Sequence, residues 1–234
     1  MRLLLKLRAE KFLPSSKVNK HTVQGLIYSL LDDTEFSGLH TKSGFKFFTY
    51  SDIFPSGDFY PHKEKTLIVS SPKPKFIQAL YDNLRESRYV YLSDSPLRVA
   101  EVKKFKINVN GRFISGSPVV LQVDNKKNIY FSFKRGNTIQ QFLKMVKENA
   151  LKKYNAYYND ELTLEEEIFD LLQYKKEVVI PVKRGEKSFP IIGSVWSLLE
   201  KRIPKGYRKF YLFIAECGIG EKNSLGFGFL NVLR

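Results

Sequence analysis

Three histidines, His21, His40 and His62, are the side chains of this sequence best suited to moving protons near neutral pH. None belongs to a spaced pair of the kind that a zinc or iron site needs. The carboxylates cluster twice, at Asp32-Asp33 and at Glu165-Glu166-Glu167. The second cluster falls on a predicted helix surface and reads as a solvated face, so neither makes a persuasive two-metal nuclease site. No nucleophile-elbow motif points to a Ser–His–Asp arrangement. One cysteine, Cys217, excludes an internal disulfide and a multi-cysteine zinc site. Neither a metal nor a cofactor is expected.

The other chemically suggestive feature is Gly218-Ile-Gly-Glu-Lys-Asn-Ser-Leu-Gly-Phe-Gly228, with Gly218, Gly220, Gly226 and Gly228 inside eleven residues. Glycine permits backbone geometries closed to other residues and lets another backbone approach closely. Exposed amides in such a loop would cradle phosphates, and Lys222 would add charge. A β-hairpin would need the same glycines for turn geometry alone. A nucleotide P-loop requires a Gly-Lys-Ser/Thr ending, and a dinucleotide fingerprint requires a helix after the glycines. Here an apolar strand over 225–233 is predicted instead. The run therefore serves a hairpin or lines the path of a polyanion.

These groups must be positioned by the elements around them. Residues 2–7 alternate leucine with basic residues and predict a strand, while Val23, Leu26, Ile27, Leu30 and Leu31 share one helix face. Strands are predicted over 45–50 and 67–70, a helix over 73–84 that opens with Pro74, and strands over 88–92 and 97–107. That order is the ferredoxin-like pattern. The second half predicts strands at 118–123 and 129–133 and a helix through Ile139, Phe142, Leu143 and Val146. It continues with a short helix after Thr163, whose partner Glu166 fits a capping box. Strands at 178–182 and 189–192, a short helix at Val195, Leu198 and Leu199, and a strand at 208–215 follow. The fold class expected is α+β, two tandem ferredoxin-like (βαββαβ) domains with antiparallel sheets, spanning 1–108 and 109–234. Glu165 to Glu167 and the wider carboxylate set remain far outnumbered: 39 Lys and Arg face 24 Asp and Glu, a net charge of +15. Such an excess draws polyanions, nucleic acid first. With no membrane-length apolar stretch, no signal-like leader and no disulfide, a cytoplasmic location is expected and no membrane partner.

The wording Gly-Glu-Lys-Asn-Ser-Leu-Gly-Phe-Gly over 220–228 resembles the glycine-rich loop of the RAMP superfamily of CRISPR-associated proteins, and within it the sixth Cas family, endoribonucleases that cut CRISPR precursor RNA. Gln24-Gly-Leu-Ile-Tyr28, Phe47-Phe-Thr-Tyr-Ser51 and Ser117-Pro118-Val119 stand in the same family order across essentially the whole chain. The resemblance implies two ferredoxin-like domains with RNA in the cleft between them, against the glycine run. It implies metal-independent cleavage within repeats by the RNA's own 2′-hydroxyl, which asks for in-line positioning, proton transfer and a cation at the phosphorane. The family's catalytic positions fall on Tyr28, His40 and Lys46. Tyr28 lies roughly 130° from the centre of the apolar helix face at 100° per residue. Lys42 rivals Lys46, and His21, seven residues before Tyr28, is a rival base. RNA contacts are expected from Lys103, Lys104, Lys222 and the glycines Gly218, Gly220, Gly226 and Gly228, with aromatics interleaved among basic residues to stack bases. Expected partners are precursor and processed crRNA and other Cas effector subunits, in a monomer or homodimer. The competing expectation is a RAMP subunit that binds crRNA without cutting it.

Overall fold

The computed structural model describes residues 1–124, 127–184 and 187–233. It divides into two units, Met1–Lys106 with Ser224–Gly226, and Ile107–Asn223 with Phe227–Arg234.

The first unit runs β1 (Arg2–Ala9), α1 (Lys20–Ser29), β2 (Thr49–Tyr50), β3 (Glu64–Ser70), α2 (Pro74–Glu86), β4 (Tyr89–Leu92) and β5 (Ser95–Phe105). Its antiparallel sheet has the order β2-β3-β1-β5-β4. Taking β1, β2, β3 and β5 as the four strands of the repeat gives the ferredoxin-like arrangement, with β4 added as a hairpin to the edge. Alternation in β1 sends Leu3, Leu5, Leu7 and Ala9 to one face, where Val23, Leu26 and Ile27 of α1 and Phe76, Ile77, Leu80 and Leu84 of α2 complete the core. Burial of these side chains is the main force holding the layers together.

The second unit runs β6 (Arg112–Ser115), β7 (Gln122–Asp124), β8 (Ile129–Tyr130), α3 (Ile139–Tyr158), β9 (Leu171–Arg184), β10 (Lys187–Glu200), α4 (Arg208–Cys217) and β11 (Leu230–Val232). Its main sheet is ordered β11-β6-β10-β9, with β7 and β8 paired apart from it. The same four-strand order recurs, so the expected tandem fold stands, although several elements within it differ from expectation.

Residues 208–215 form helix α4, where a strand was expected. Phe210, Phe213, Ile214 and Cys217 fall at helical spacing on its buried face, with Lys209, Leu212 and Glu216 less buried on the other, but its aromatic and β-branched residues favour a strand by type. Conversely, Val195, Leu198 and Leu199 lie in strand β10. Register shifts at Val195/Trp196 and Trp196/Leu198 break its alternation and imitate helical spacing. No helix follows Thr163: residues 160–170 are irregular, and Glu166 binds Lys201 rather than capping. The expected strand over 45–50 shrinks to Thr49–Tyr50, and that over 225–233 to Leu230–Val232. The glycine run consequently follows a helix. Among the described residues, no helix is long and apolar enough to cross a membrane.

Candidate active site

Helix α1 begins where Asn19 closes a capping box: its side chain accepts from the His21 and Thr22 amides at 2.9 and 3.1 Å, and Thr22 accepts from the Asn19 amide. The helix buries Val23, Leu26 and Ile27 and leaves Tyr28 half-buried at the core's margin. The Tyr28 ring meets His40 edge-on at 5.7 Å between centroids and Phe48 edge-on at 6.0 Å. His40 is exposed and follows the 3-10 turn Ser37–Leu39, whose Leu39 is buried and ties the turn to the core. Lys46 does not sit on a strand as expected. It lies in irregular chain, and its ammonium turns back onto the Leu39 carbonyl at 2.5 Å and the Lys42 carbonyl. Tyr28, His40 and Lys46 are thereby gathered around one turn. Lys42 supplies a carbonyl to Lys46, while His21 is exposed in the first turn of α1, about two turns from Tyr28.

The electrostatics differ at each position. Burial raises the Tyr28 phenol above its usual range, and a hydrogen bond with Ser224 opposes that rise. Burial, with the nearby Lys42 charge, lowers the Lys46 ammonium from its ordinary value. Among the described residues, no three His, Cys, Asp or Glu side chains gather as metal ligands would.

The glycine run behaves differently from an open phosphate cradle. Gly218, Gly220, Gly226 and Gly228 are buried and all have positive φ. Gly218 donates its amide to Ile214 and Gly228 donates to Pro118, so these amides hold the fold together. A side chain at Gly228 would collide with the Ile219 carbonyl, and one at Gly226 would enter the Tyr50 ring. Lys222 is half-buried beside Tyr130, with burial lowering its ammonium from the ordinary value. Lys103 and Lys104 alternate to opposite faces of β5. Lys104 shares the helix-covered face and engages Gln78 and the Tyr81 ring, while Lys103 is exposed.

Sequence reading missed the residue that organises this run. Lys153 is 2% exposed, and its ammonium reaches the carbonyls of Gly218 and Gly220 at 2.6 and 3.0 Å and the Asn223 side chain at 2.7 Å. Its signal was the apolar stripe Phe142, Val146, Ala150, Tyr154, on which a lysine at 153 has to point inward. Lys20 and Gln24 were also missed as partners of the loop tip: Lys20 reaches the Gly226 carbonyl at 2.5 Å, and Gln24 reaches that of Ser224 at 2.8 Å.

Two kinds of similarity bear on this arrangement. The family described as CRISPR associated protein Cas6, C-terminal, matches residues 101–232. The chain is also 43% identical over 241 residues to the CRISPR-associated endoribonuclease Cas6 2 of Methanocaldococcus jannaschii, covering 100% of both. The chain belongs to the Cas6 family. A Cas6 endoribonuclease of Pyrococcus furiosus is 28% identical over 99% of this chain and 90% of its own length. Among solved structures, one titled CRISPR associated protein Cas6 superimposes with a TM-score of 0.74 at 22% identity, covering 100% of this chain and 99% of the other. A Cas6 product complex gives 0.68 at 16% identity, over 99% and 98%. At those identities the structural likeness speaks for the tandem ferredoxin-like fold of Cas6 proteins alone.

Proposed function

We propose that this chain is an endoribonuclease that cuts CRISPR precursor RNA within its repeats, without a metal ion, and holds precursor and processed crRNA. Its full-length 43% identity to a protein named CRISPR-associated endoribonuclease supports the activity. The observation that carries the chemistry is the joining of three groups around one turn: the His40 ring against the Tyr28 ring, and Lys46 on the carbonyl of the residue before His40. In the proposed reaction the RNA 2′-oxygen attacks the adjacent phosphorus and the bond to the 5′-oxygen breaks. His40 accepts the 2′-hydroxyl proton, a role suited to an imidazole open to solvent. Tyr28, held as a neutral phenol by burial, donates toward the leaving 5′-oxygen. Lys46 offers positive charge to the phosphorane. Products are a 2′,3′-cyclic phosphate and a 5′-hydroxyl.

Incubating the protein with end-labelled repeat RNA in excess EDTA tests this reading. Expected is cleavage at one position, blocked by a single 2′-deoxy substitution there. Intact RNA in EDTA with cutting restored by magnesium would remove the metal-free mechanism. RNA that is bound and never cut would make the chain a binder.

A further inference from the structure

Beyond the end of β1 the chain pairs briefly with the segment before β3: Leu13 and Phe59 exchange both backbone hydrogen bonds, at 3.0 and 2.9 Å. Alternation across this pair sends Leu13 and Phe59 inward, 3% and 2% exposed, and turns their neighbours Phe12 and Tyr60 outward, 54% and 55% exposed. The two outward rings meet at 5.5 Å between centroids, tilted by 54°. The segment that presents Tyr60 is tied down from below and from the side. Lys65 is buried, and its ammonium reaches the carbonyls of Pro55, Ser56 and Gly57 at 2.5, 3.2 and 2.9 Å. Asp58 accepts from both the amide and the hydroxyl of Ser15 at 2.8 Å.

Charge around the rings is unbalanced. Glu10 accepts from the Tyr89 hydroxyl, Glu64 pairs with Arg8 at 2.5 Å, and Asp58 is taken up by Ser15. Lys11 and Lys63, close to Phe12 and Tyr60 in the chain, are exposed and pair with no carboxylate among the described residues. An open aromatic face beside an unneutralised cation suits a nucleobase and its phosphate. An apolar protein surface would instead leave those lysines desolvated and unpaired.

We propose that Phe12 and Tyr60 form a stacking platform for unpaired nucleotides of the RNA, with Lys11 and Lys63 on the neighbouring phosphates. This rests on the chain binding and cutting repeat RNA. The rings stand too close together for a base to enter between them, so a base lies on the open face of one while the other props it. The platform is remote from the cut. The Phe47 carbonyl, next to Lys46, accepts from the Ser71 hydroxyl, and the Ser71 amide donates to the Met1 carbonyl, at the start of β1. Phe12 follows the end of β1, so the length of that strand, roughly 25 Å, separates the two. The platform therefore adds affinity and leaves the chemical step alone.

The test measures filter binding and single-turnover cleavage of labelled repeat RNA by the full chain, with folding checked by circular dichroism. It compares the wild type with Phe12→Ala/Tyr60→Ala, Phe12→Leu/Tyr60→Leu and the aromatic exchange Phe12→Tyr/Tyr60→Phe. The alanine and leucine pairs should bind about tenfold more weakly and cleave at the wild-type rate once saturated, while the aromatic exchange binds as wild type. On the same RNA annealed to its complement, all four proteins should bind alike, because a duplex offers no free base face. Wild-type affinity in the alanine pair overturns the platform. Affinity recovered by leucine makes the patch a plain apolar contact, of the kind a protein partner uses, and overturns stacking. An equal loss on the duplex, or cleavage lost at saturation, overturns it as well. A wild type that neither binds nor cuts repeat RNA removes the underlying reading instead.

Discussion

At the scale of single residues, Tyr28 and His40 touch each other yet meet different surroundings: the phenol is half-buried, and the imidazole stands in solvent. Proton transfer through an exposed histidine is worth about 10²-fold or more in rate. His40→Ala should lose that factor in single-turnover cleavage while gel-shift affinity for repeat RNA stays near wild type. Lys153 makes a separate prediction because its ammonium is buried among three oxygen atoms. Burial pushes its pKa down to about 8 from the ordinary 10.5. Between those values the unfolded chain binds the proton and the folded chain has released it, so this group's contribution to stability grows as pH rises from about 8 toward 10.5. Compared with Lys153→Met, the wild type should gain on the order of 3 kcal/mol across that window by urea denaturation. At neutral pH the same substitution orphans the glycine carbonyls, so it should destabilise by about 1–3 kcal/mol.

At the scale of elements, glycines divide by their backbone. Gly228 has φ of 68° and faces the Ile219 carbonyl, so Gly228→Ala should cost about 2 kcal/mol or more, the strain of a left-handed alanine plus displaced backbone. Gly25 lies within α1, exposed, with open space where a Cβ would stand and no positive φ. Gly25→Ala should raise stability by roughly 0.5–1 kcal/mol in the same denaturation assay. The two substitutions are chemically identical and should move the midpoint in opposite directions. Elements also explain which parts are readable. Helices α1 and α3 announce themselves by capping boxes and one-sided apolar stripes. Helix α4 keeps helical spacing but is rich in aromatic and β-branched residues that favour strands, and a bulged strand such as β10 loses its alternation, so each reads as the wrong class.

At the scale of the molecule, a net charge of +15 makes ion release a large part of RNA binding. If roughly five phosphates are neutralised, affinity should fall on the order of 100-fold between about 50 and about 200 mM salt, read from filter binding at several concentrations. A flat salt dependence would show that charge elsewhere on the surface, rather than at the RNA, carries the excess. Lys103 is open to such contacts, whereas Lys104 is occupied by Gln78 and Tyr81 and should add little to the slope.

The order of strands and helices in the first unit, the charge and the wording around Gln24, Tyr28 and the glycine run were all present in the sequence, because each is a local pattern or a sum over the chain. From these the tandem fold and the family followed without coordinates. The neighbours of each candidate were absent from it. Lys46 turning onto the Leu39 carbonyl, Lys153 reaching the Gly218 and Gly220 carbonyls and Lys20 reaching the Gly226 carbonyl join residues up to 206 positions apart, and no periodicity says which partner each one meets. A buried lysine and a surface lysine are the same letter, and only tertiary packing decides which oxygen atoms replace water around the charge.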